Sequence, residues 1–171
     1  PVLFDEFASL SGRMHTFCRG YLYEDADIIL FLLGSSFHTA AVAADKLRKE
    51  GIRAGVVTLN VLRPFPCDEL RHLCIHAQTI VAADRQDSYG AGGGNMSLEL
   101  RAALQYSTGS THPIRVLTRI YGLGGKDFFV EDAVALFREG LMPDAKTFDY
   151  YGITPGTTEN HPQPQYYAPL T

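Results

Sequence analysis

The fold is decided by the stretch Ile28-Ile29-Leu30-Phe31-Leu32-Leu33, which ends at Gly34-Ser35-Ser36. Six consecutive apolar residues predict a β-strand that is buried on both faces, as in a parallel sheet covered by helices. A helical stripe of small and apolar residues comes next, and the basic residues before Gly51 favour the C-terminal end of that helix. This strand–turn–helix unit predicts an α/β fold.

The same unit repeats along the chain. Further strands are predicted at 55–59, 79–83 and 114–120, and each is followed by a helical pattern. Short connections with right-handed crossovers produce a largely parallel sheet between two helical layers. We therefore predict a three-layer α/β/α domain with a mostly parallel sheet. In the strand predicted at 114–120, successive side chains alternate between the two faces, so Arg115 and Arg119 lie on the same face. We expect that face to be solvated or to dock onto a polar group.

Composition divides the chain into three segments. We predict the α/β domain over residues 28–140, a lead-in over 1–27 and a C-terminal arm over 141–171. The arm holds five of the nine prolines and four of the nine tyrosines, and it shows no helical stripe. Proline stiffens such a segment, and tyrosine gives it area to bury. We expect the arm to pack on a neighbouring domain or subunit, with a loose tail as the alternative.

Charge and cysteine content restrict the classes of function. The 171 residues carry 15 basic and 19 acidic side chains without a basic block, which argues against nucleic acid or an anionic membrane as the main partner. The longest apolar run is too short to cross a bilayer. Cys18, Cys67 and Cys74 form no CxxC pair, which favours the reducing cytoplasm and excludes a four-cysteine iron–sulfur cluster held by this chain alone. The start at Pro1 resembles a fragment of a longer chain more than a signal sequence.

Two turns rich in glycine and serine are candidates for anion binding, because backbone amides at a strand–helix turn can hold a phosphate. Their candidate residues are Gly34, Ser35 and Ser36 after the first strand, and Gly90, Gly92 and Gly93 after the third. The second turn departs from the GxGxxG pattern of dinucleotide sites, since its third glycine would fall on Asn95. The alternative is a structural turn in which glycine allows a close approach of two chain segments.

Other reactive residues do not assemble into a complete site. His72 and His76 have the spacing of a metal-binding pair on a helix, but no third ligand is evident beyond Glu69, and a solvated face is the alternative. Cys67 stands at a helix start, where a thiol pKa can fall, without a base beside it in sequence. Asp84-Arg85 can pair locally and orient the loop after the third strand. We predict no catalytic residue and no metal site in this chain.

Taken together, these segments resemble the transketolase C-terminal-like domain in the alpha part of pyruvate:ferredoxin oxidoreductases and related 2-oxoacid oxidoreductases. The resemblance covers about residues 12–140, and the family often has arginine in place of Lys126. The matching segments, in order, are Gly12-Arg13, Tyr21, Glu24-Asp25-Ala26-Asp27, Leu33-Gly34-Ser35, Lys46 to Ile52, Arg63-Pro64-Phe65-Pro66, Glu69-Leu70, Asp84-Arg85, Ser88-Tyr89-Gly90 and Tyr121 to Asp127.

The resemblance implies an enzyme that oxidatively decarboxylates a 2-oxoacid to an acyl-CoA. Such an enzyme uses thiamine diphosphate with magnesium, and it passes electrons through iron–sulfur clusters to ferredoxin. In the family, the domains that bind these cofactors lie outside the segment that this chain matches. The implied role is therefore a non-catalytic structural domain, inactive alone, that packs on other domains or subunits of an oligomeric enzyme.

Nine side chains are the predicted interface residues, taken from the matching turns and from the arm. They are Arg63, Phe65, Tyr89, Lys126, Asp127, Tyr150, Tyr151, Tyr166 and Tyr167. Two alternatives stay open: a small module that binds an anion, a nucleotide or coenzyme A, and the C-terminal domain of another thiamine diphosphate enzyme.

Overall fold

The computed structural model describes residues 2–105 and 113–153. Its centre is a six-stranded sheet in the order β1-β3-β2-β4-β5-β6, in which β1 is antiparallel to β3 and every other pair is parallel. The strands are β1 Cys18–Tyr21, β2 Ile28–Phe31, β3 Ala54–Leu59, β4 Thr79–Asp84, β5 Arg115–Ile120 and β6 Phe148–Tyr150.

Helices cover both faces of this sheet. Two of them, α2 (Ser36–Lys49) and α5 (Val130–Leu141), pack together on one face, and α3 (Cys67–Cys74) and α4 (Asn95–Gln105) pack together on the other. The remaining helix, α1 (Val2–Ser11), precedes the sheet. The predicted α/β/α architecture is confirmed. None of the helices in the described ranges has the length and apolar character needed to cross a membrane.

The strand that decides the fold is buried as its sequence predicts. Ile28 and Leu30 contribute to the core beneath α2 and α5, whereas Ile29 and Phe31 contribute to the core beneath α3 and α4. All four side chains are fully buried. A central strand between two helical layers has no solvated face, which is why its sequence is a continuous apolar run rather than an alternation.

The sheet extends beyond the predicted boundaries at residues 28 and 140. On one side β1, from the lead-in, pairs with β3, and on the other side β6, from the arm, pairs with β5. Residues 148–150 therefore lie in the sheet of their own domain rather than on a neighbour. Both added strands are short edge strands held by backbone pairing, and neither has an apolar run that would reveal it. Tyr166 and Tyr167 lie outside the described residues.

The predicted domain ends at Gly140, whereas the last helix continues through this glycine to Leu141. A Cβ atom on Gly140 would lie 2.6 Å from Ile28 Cδ1 and 2.6 Å from Val81 Cγ2. Both of those side chains are buried and have no room to move. This glycine therefore serves close packing of α5 on β2 and β4, not termination of the helix.

Candidate functional site at the carboxyl edge of the sheet

The sheet has a topological switch point between β2 and β4. From β2 the chain crosses through α2 to β3, and from β4 it crosses through α4 to β5, on the opposite face and in the opposite direction. Loops diverge at such a point and leave a crevice at the carboxyl ends of the strands, where α/β proteins bind ligands. An open cleft of about 880 Å³ lies there, and its lining includes Leu33, Leu62, Arg63, Asp84, Arg85 and Tyr121.

Asp84 ends β4 and is buried at the base of this cleft. Its carboxylate accepts hydrogen bonds from the backbone N–H groups of Met96 at 3.2 Å and Ser97 at 3.1 Å, in the first turn of α4. Burial raises the pKa of Asp84 above its ordinary value, and the two amide hydrogen bonds act in the opposite direction. The start of α4 is thus already occupied by an anion from the protein itself.

The glycine-rich turn lies against Asp84. A side chain at Gly94 would overlap the carboxyl group of Asp84, whereas a Cβ on Gly92 would meet nothing within 4 Å. The Ser97 hydroxyl donates a hydrogen bond to the carbonyl of Gly94 at 2.8 Å and closes the turn. This geometry agrees with the structural alternative of a close approach. Anion binding by Gly90, Gly92 and Gly93 stays a prediction. The backbone N–H groups of Met96 and Ser97 do not contribute to such a site, because they already donate to the carboxylate of Asp84.

Arg85 connects the β4 loop to the glycine turn that follows β5. Its guanidinium donates a hydrogen bond to the carbonyl of Lys126 at 3.1 Å and lies 5.4 Å from the ring centroid of Tyr121. A Cβ on Gly122 would lie 2.8 Å from Arg85 Nε, and Gly122 has a φ of 67°, so both space and backbone conformation favour glycine there. Asp84 and Arg85 therefore orient two different loops, where the sequence had suggested a local pair.

Tyr121 connects the end of β5 to the start of α2. Its hydroxyl donates a hydrogen bond to Ser36 Oγ at 2.9 Å, and its ring packs 4.6 Å from that of Phe128. Burial raises the pKa of this phenol. The sequence analysis named Tyr121 only as the start of a matching segment and gave it no role; the available signal was an aromatic residue directly after a buried strand and before Gly122. Of the first candidate turn, Ser36 is buried beneath Tyr121, and Gly34 and Ser35 are exposed at the edge.

The rim of the cleft is formed by exposed side chains. Arg63 donates a hydrogen bond to Glu99 Oε1 at 2.5 Å, while Leu62 and Leu98 leave apolar surface in contact with solvent beside them. Tyr89, another predicted interface residue, is 78% exposed. Phe65 differs, because it is half-buried and packs against the core beneath α3 and α4. The rim thus presents apolar and ionic groups side by side.

Three more predicted interface residues make contacts within the domain. Lys126 Nζ donates to the carbonyl of Gly152 at 2.9 Å, the Tyr150 hydroxyl donates to Asp87 Oδ2 at 2.5 Å, and the Tyr151 hydroxyl donates to Asp132 Oδ1 at 3.0 Å. Burial, together with the hydrogen bond to Asp132, raises the pKa of Tyr151 to about 12. These bonds hold residues 150–152 against the carboxyl edge. Asp127, beside them, is exposed.

The histidines and cysteines lie apart from this edge. Helix α3 ends at Cys74, so His76 follows the helix and does not share a helical face with His72 as predicted. Within residues 2–105 and 113–153, no three His, Cys, Asp or Glu side chains are grouped so as to hold a metal ion. Burial raises the thiol pKa of both Cys18 and Cys74 to about 12, so neither is an activated nucleophile.

Comparison with known proteins identifies the family. The sequence-family model named pyruvate:ferredoxin oxidoreductase core domain II matches residues 26–133 of this chain. These residues include β2 to β5 and the residues that line the cleft. The chain belongs to this family. The match begins after α1 and β1 and ends within α5, so α1, β1 and β6 lie outside the matched residues.

Relatives of known function are subunits of 2-oxoacid oxidoreductases. The chain is 30% identical over 142 residues to the pyruvate synthase subunit PorA of Thermotoga maritima, covering 82% of this chain and 35% of that protein. It is 40% identical over 133 residues to the ketoisovalerate oxidoreductase subunit VorA of Pyrococcus horikoshii, covering 77% and 32%. The chain therefore spans about a third of the length of these relatives.

Solved structures share the fold. A 2-oxoglutarate:ferredoxin oxidoreductase from Magnetococcus marinus, with 2-oxoglutarate, coenzyme A and succinyl-CoA bound, matches with a TM-score of 0.57 and 20% identity, over 80% of this chain and 21% of that one. An inactive β4 tetramer of a split-gene transketolase matches with a TM-score of 0.51 and 25% identity, over 72% and 41%. The expected likeness to the transketolase C-terminal domain is confirmed.

Proposed function

We propose that this chain is the non-catalytic structural and interface domain of a 2-oxoacid:ferredoxin oxidoreductase. The complete enzyme would oxidatively decarboxylate a pyruvate-type 2-oxoacid to an acyl-CoA, with ferredoxin as the electron acceptor. Family membership supports this assignment, as does a chain that spans about a third of the PorA and VorA subunits. The remaining parts of an oligomeric, cytoplasmic enzyme would supply the chemistry.

One observation carries the structural role: the polar side chains at the carboxyl edge are bonded to neighbouring loops. Asp84 holds the start of α4, Arg85 holds the turn at Lys126, and Tyr121 holds the start of α2. A side chain whose hydrogen bonds fix a loop stabilises the shape of a surface. A preformed surface with an apolar and ionic rim, including Leu62 and Arg63, suits contact with another domain.

We expect the cofactors of the enzyme to be bound outside this chain. Its three cysteines, Cys18, Cys67 and Cys74, are one fewer than a four-thiolate iron–sulfur cluster needs. Among the described residues, no three or more His, Cys, Asp and Glu side chains are grouped so as to hold a metal ion. In the proposed assignment, thiamine diphosphate, magnesium, the clusters and coenzyme A belong to other domains or subunits, because this chain matches only about a third of the PorA and VorA subunits. We expect the isolated chain to be inactive on pyruvate with thiamine diphosphate, and turnover by the pure chain would contradict the assignment.

The interface role is tested on the rim of the cleft in the complete enzyme. Leu62 is 45% exposed on the rim and Val42 is 49% exposed on α2, so the pair is matched in exposure but not in position. We expect Leu62→Glu to impair assembly, measured by native mass spectrometry, and to lower turnover in proportion to the assembled fraction. Val42→Glu should leave both unchanged. Full assembly and full turnover of the Leu62→Glu enzyme would exclude a contact at this rim.

A ligand-binding function is the second candidate, because the cleft lies at the switch point where α/β sheets bind small molecules. Arg63 and Arg85 line the cleft and could contact the phosphates of a nucleotide or of coenzyme A. Calorimetric titration of the folded domain with coenzyme A and with nucleotides tests this function. Absence of heat in a folded sample would count against it and leave the interface role as stated.

A further inference from the structure

Helix α1 has an apolar stripe that its own domain does not cover. Leu3, Phe7 and Leu10 recur at intervals of four and three residues, so they lie on one side of the helix. Leu3 is 77% exposed and Leu10 is 88% exposed, and none of the ten residues of α1 is fully buried. The stripe continues past the helix with Met14, which is also exposed.

Aromatic contacts between α1 and the rest of the domain come from Phe4 and from Phe7, which is the least exposed member of the stripe at 47%. The ring of Phe4 lies 5.1 Å from that of Phe17, edge to face, and the ring of Phe7 lies 5.2 Å from that of His15. These aromatic contacts hold α1 beside the start of β1 and leave the side of Leu3 and Leu10 uncovered. A ten-residue helix has little stability in water without tertiary packing of its apolar face.

We propose that α1 is a docking helix, whose stripe of Leu3, Phe7 and Leu10 packs into an apolar groove on another domain of the same oxidoreductase subunit. This inference rests on the proposed function, in which the chain is one domain of a larger subunit. Asp5 and Glu6 are the charged residues of α1, so the groove carries basic side chains at its border.

Two findings select another domain of the subunit as the occupant. About two thirds of the length of the PorA and VorA relatives lies outside the part that this chain matches, which leaves ample protein to cover the stripe. In addition, α1 lies before the residues matched by core domain II, 26–133. A helix at this place with its apolar side turned away from its own domain suits attachment to a neighbouring domain.

The first test compares two substitutions in the complete enzyme. Leu10→Glu places a charge in the stripe, and Ser9→Glu places the same charge at the adjacent exposed position on the other side of the helix. We expect amide hydrogen exchange of residues 2–11 to accelerate at least tenfold in the Leu10→Glu enzyme and to stay unchanged in the Ser9→Glu enzyme. Equal exchange in the wild-type, Leu10→Glu and Ser9→Glu enzymes would overturn the proposal.

The second test identifies the occupant without destabilising the helix. A benzophenone photo-crosslinker at position 10 of the complete enzyme should form a bond to another domain of the same subunit, mapped by peptide mass spectrometry. A crosslink to α1 of a second copy, to a different subunit, or no crosslink would overturn the proposal. The rim experiment with Leu62→Glu is independent of α1, so its success beside a failed crosslink would remove only the docking helix.

Discussion

The carboxylate of Asp84 accepts a hydrogen bond from the backbone N–H of Ser97, so the last residue of β4 caps the first turn of α4. The two residues are thirteen positions apart, and the glycine-rich turn between them folds back against the carboxylate. A strand and the helix that follows it are thereby fixed to each other at the edge that carries the cleft.

Removal of this cap should destabilise the domain. Asp84→Ala leaves the buried amides of Met96 and Ser97 without their acceptor, and we expect the free energy of unfolding to fall by about 1–3 kcal/mol. Asp127→Ala, at an exposed carboxylate in the turn after β5, should change it by less than about 0.5 kcal/mol. Urea unfolding at pH 7 measures both, and equal effects would show that Asp84 is not a structural cap.

The same carboxyl group should make stability depend on pH. Burial raises the pKa of Asp84 in the folded state above its ordinary value of 3.8. A raised folded pKa gives a stabilising contribution that is complete below the unfolded pKa and is lost as pH rises through the folded pKa. We therefore expect the unfolding free energy of the wild type, relative to Asp84→Asn, to decrease as pH rises from about 3.8 and then to level off. An increase over that interval would contradict the assignment.

Gly94 and Gly92 should respond differently to the same substitution. The methyl group of Gly94→Ala would overlap the carboxyl group of Asp84, and overpacking of this kind costs about 1–3 kcal/mol. Gly92→Ala introduces the same methyl group where nothing lies within 4 Å, so it should leave thermal stability nearly unchanged. A melting temperature for Gly94→Ala equal to that of Gly92→Ala would show that the turn does not lie against Asp84.

Two ion pairs of similar geometry should differ in their contribution to stability. Arg119 is 1% exposed and contacts Glu139 at 2.8 Å, whereas Arg138 is 55% exposed and contacts Glu50 at 2.9 Å. We expect Glu139→Ala, which leaves a buried guanidinium without its carboxylate, to cost about 3–5 kcal/mol. Glu50→Ala should cost at most about 1 kcal/mol. Chemical unfolding of the two variants gives the comparison, and similar losses would contradict the burial of Arg119.

Tyr151 should titrate separately from an ordinary tyrosine. Its pKa is raised to about 12, because burial and the neighbouring Asp132 disfavour the phenolate. Its contribution to stability is therefore present below pH 10, the ordinary tyrosine value, and is lost as pH rises toward 12. Ultraviolet titration should show a late phenolate signal that is missing in Tyr151→Phe. Persistence of that signal in the variant would assign it to another tyrosine.

Much of the fold could be predicted because, in the core, the pattern of apolar residues in the sequence matches the burial of those residues in the folded domain. The run from Ile28 is apolar throughout because helices cover both sides of β2, and the repeated strand–helix pattern follows from the same layers. The edge strand Cys18–Tyr21 was missed because it contains one buried residue and is held mainly by backbone bonds to β3. Helix α1 was missed for a related reason, since none of its residues is fully buried in this domain.

The sequence predicted the glycine-rich turn of the candidate site, but it did not predict which residues contact that turn and the neighbouring side chains. A close approach at the glycine-rich turn was one of two interpretations, yet nothing local indicates that Asp84 is the group approached. Tyr150 was expected to face a neighbour, but Asp87, 63 residues earlier, accepts its hydrogen bond. Arg119 was expected on a solvated or polar side; its polar partners, Glu139 and the carbonyl of Lys146, lie 20 and 27 residues away in sequence.

The two edge strands, β1 and β6, have a geometric consequence for whatever protein surrounds this domain. They are separated by the full width of a six-stranded sheet. Neighbouring strands lie about 4.8 Å apart and each is rotated by about 20° from the next. Over five intervals this amounts to roughly 24 Å and roughly 100°. The domain is thus a rigid spacer of defined length and angle, which sets the distance and relative orientation of anything attached at its two edges.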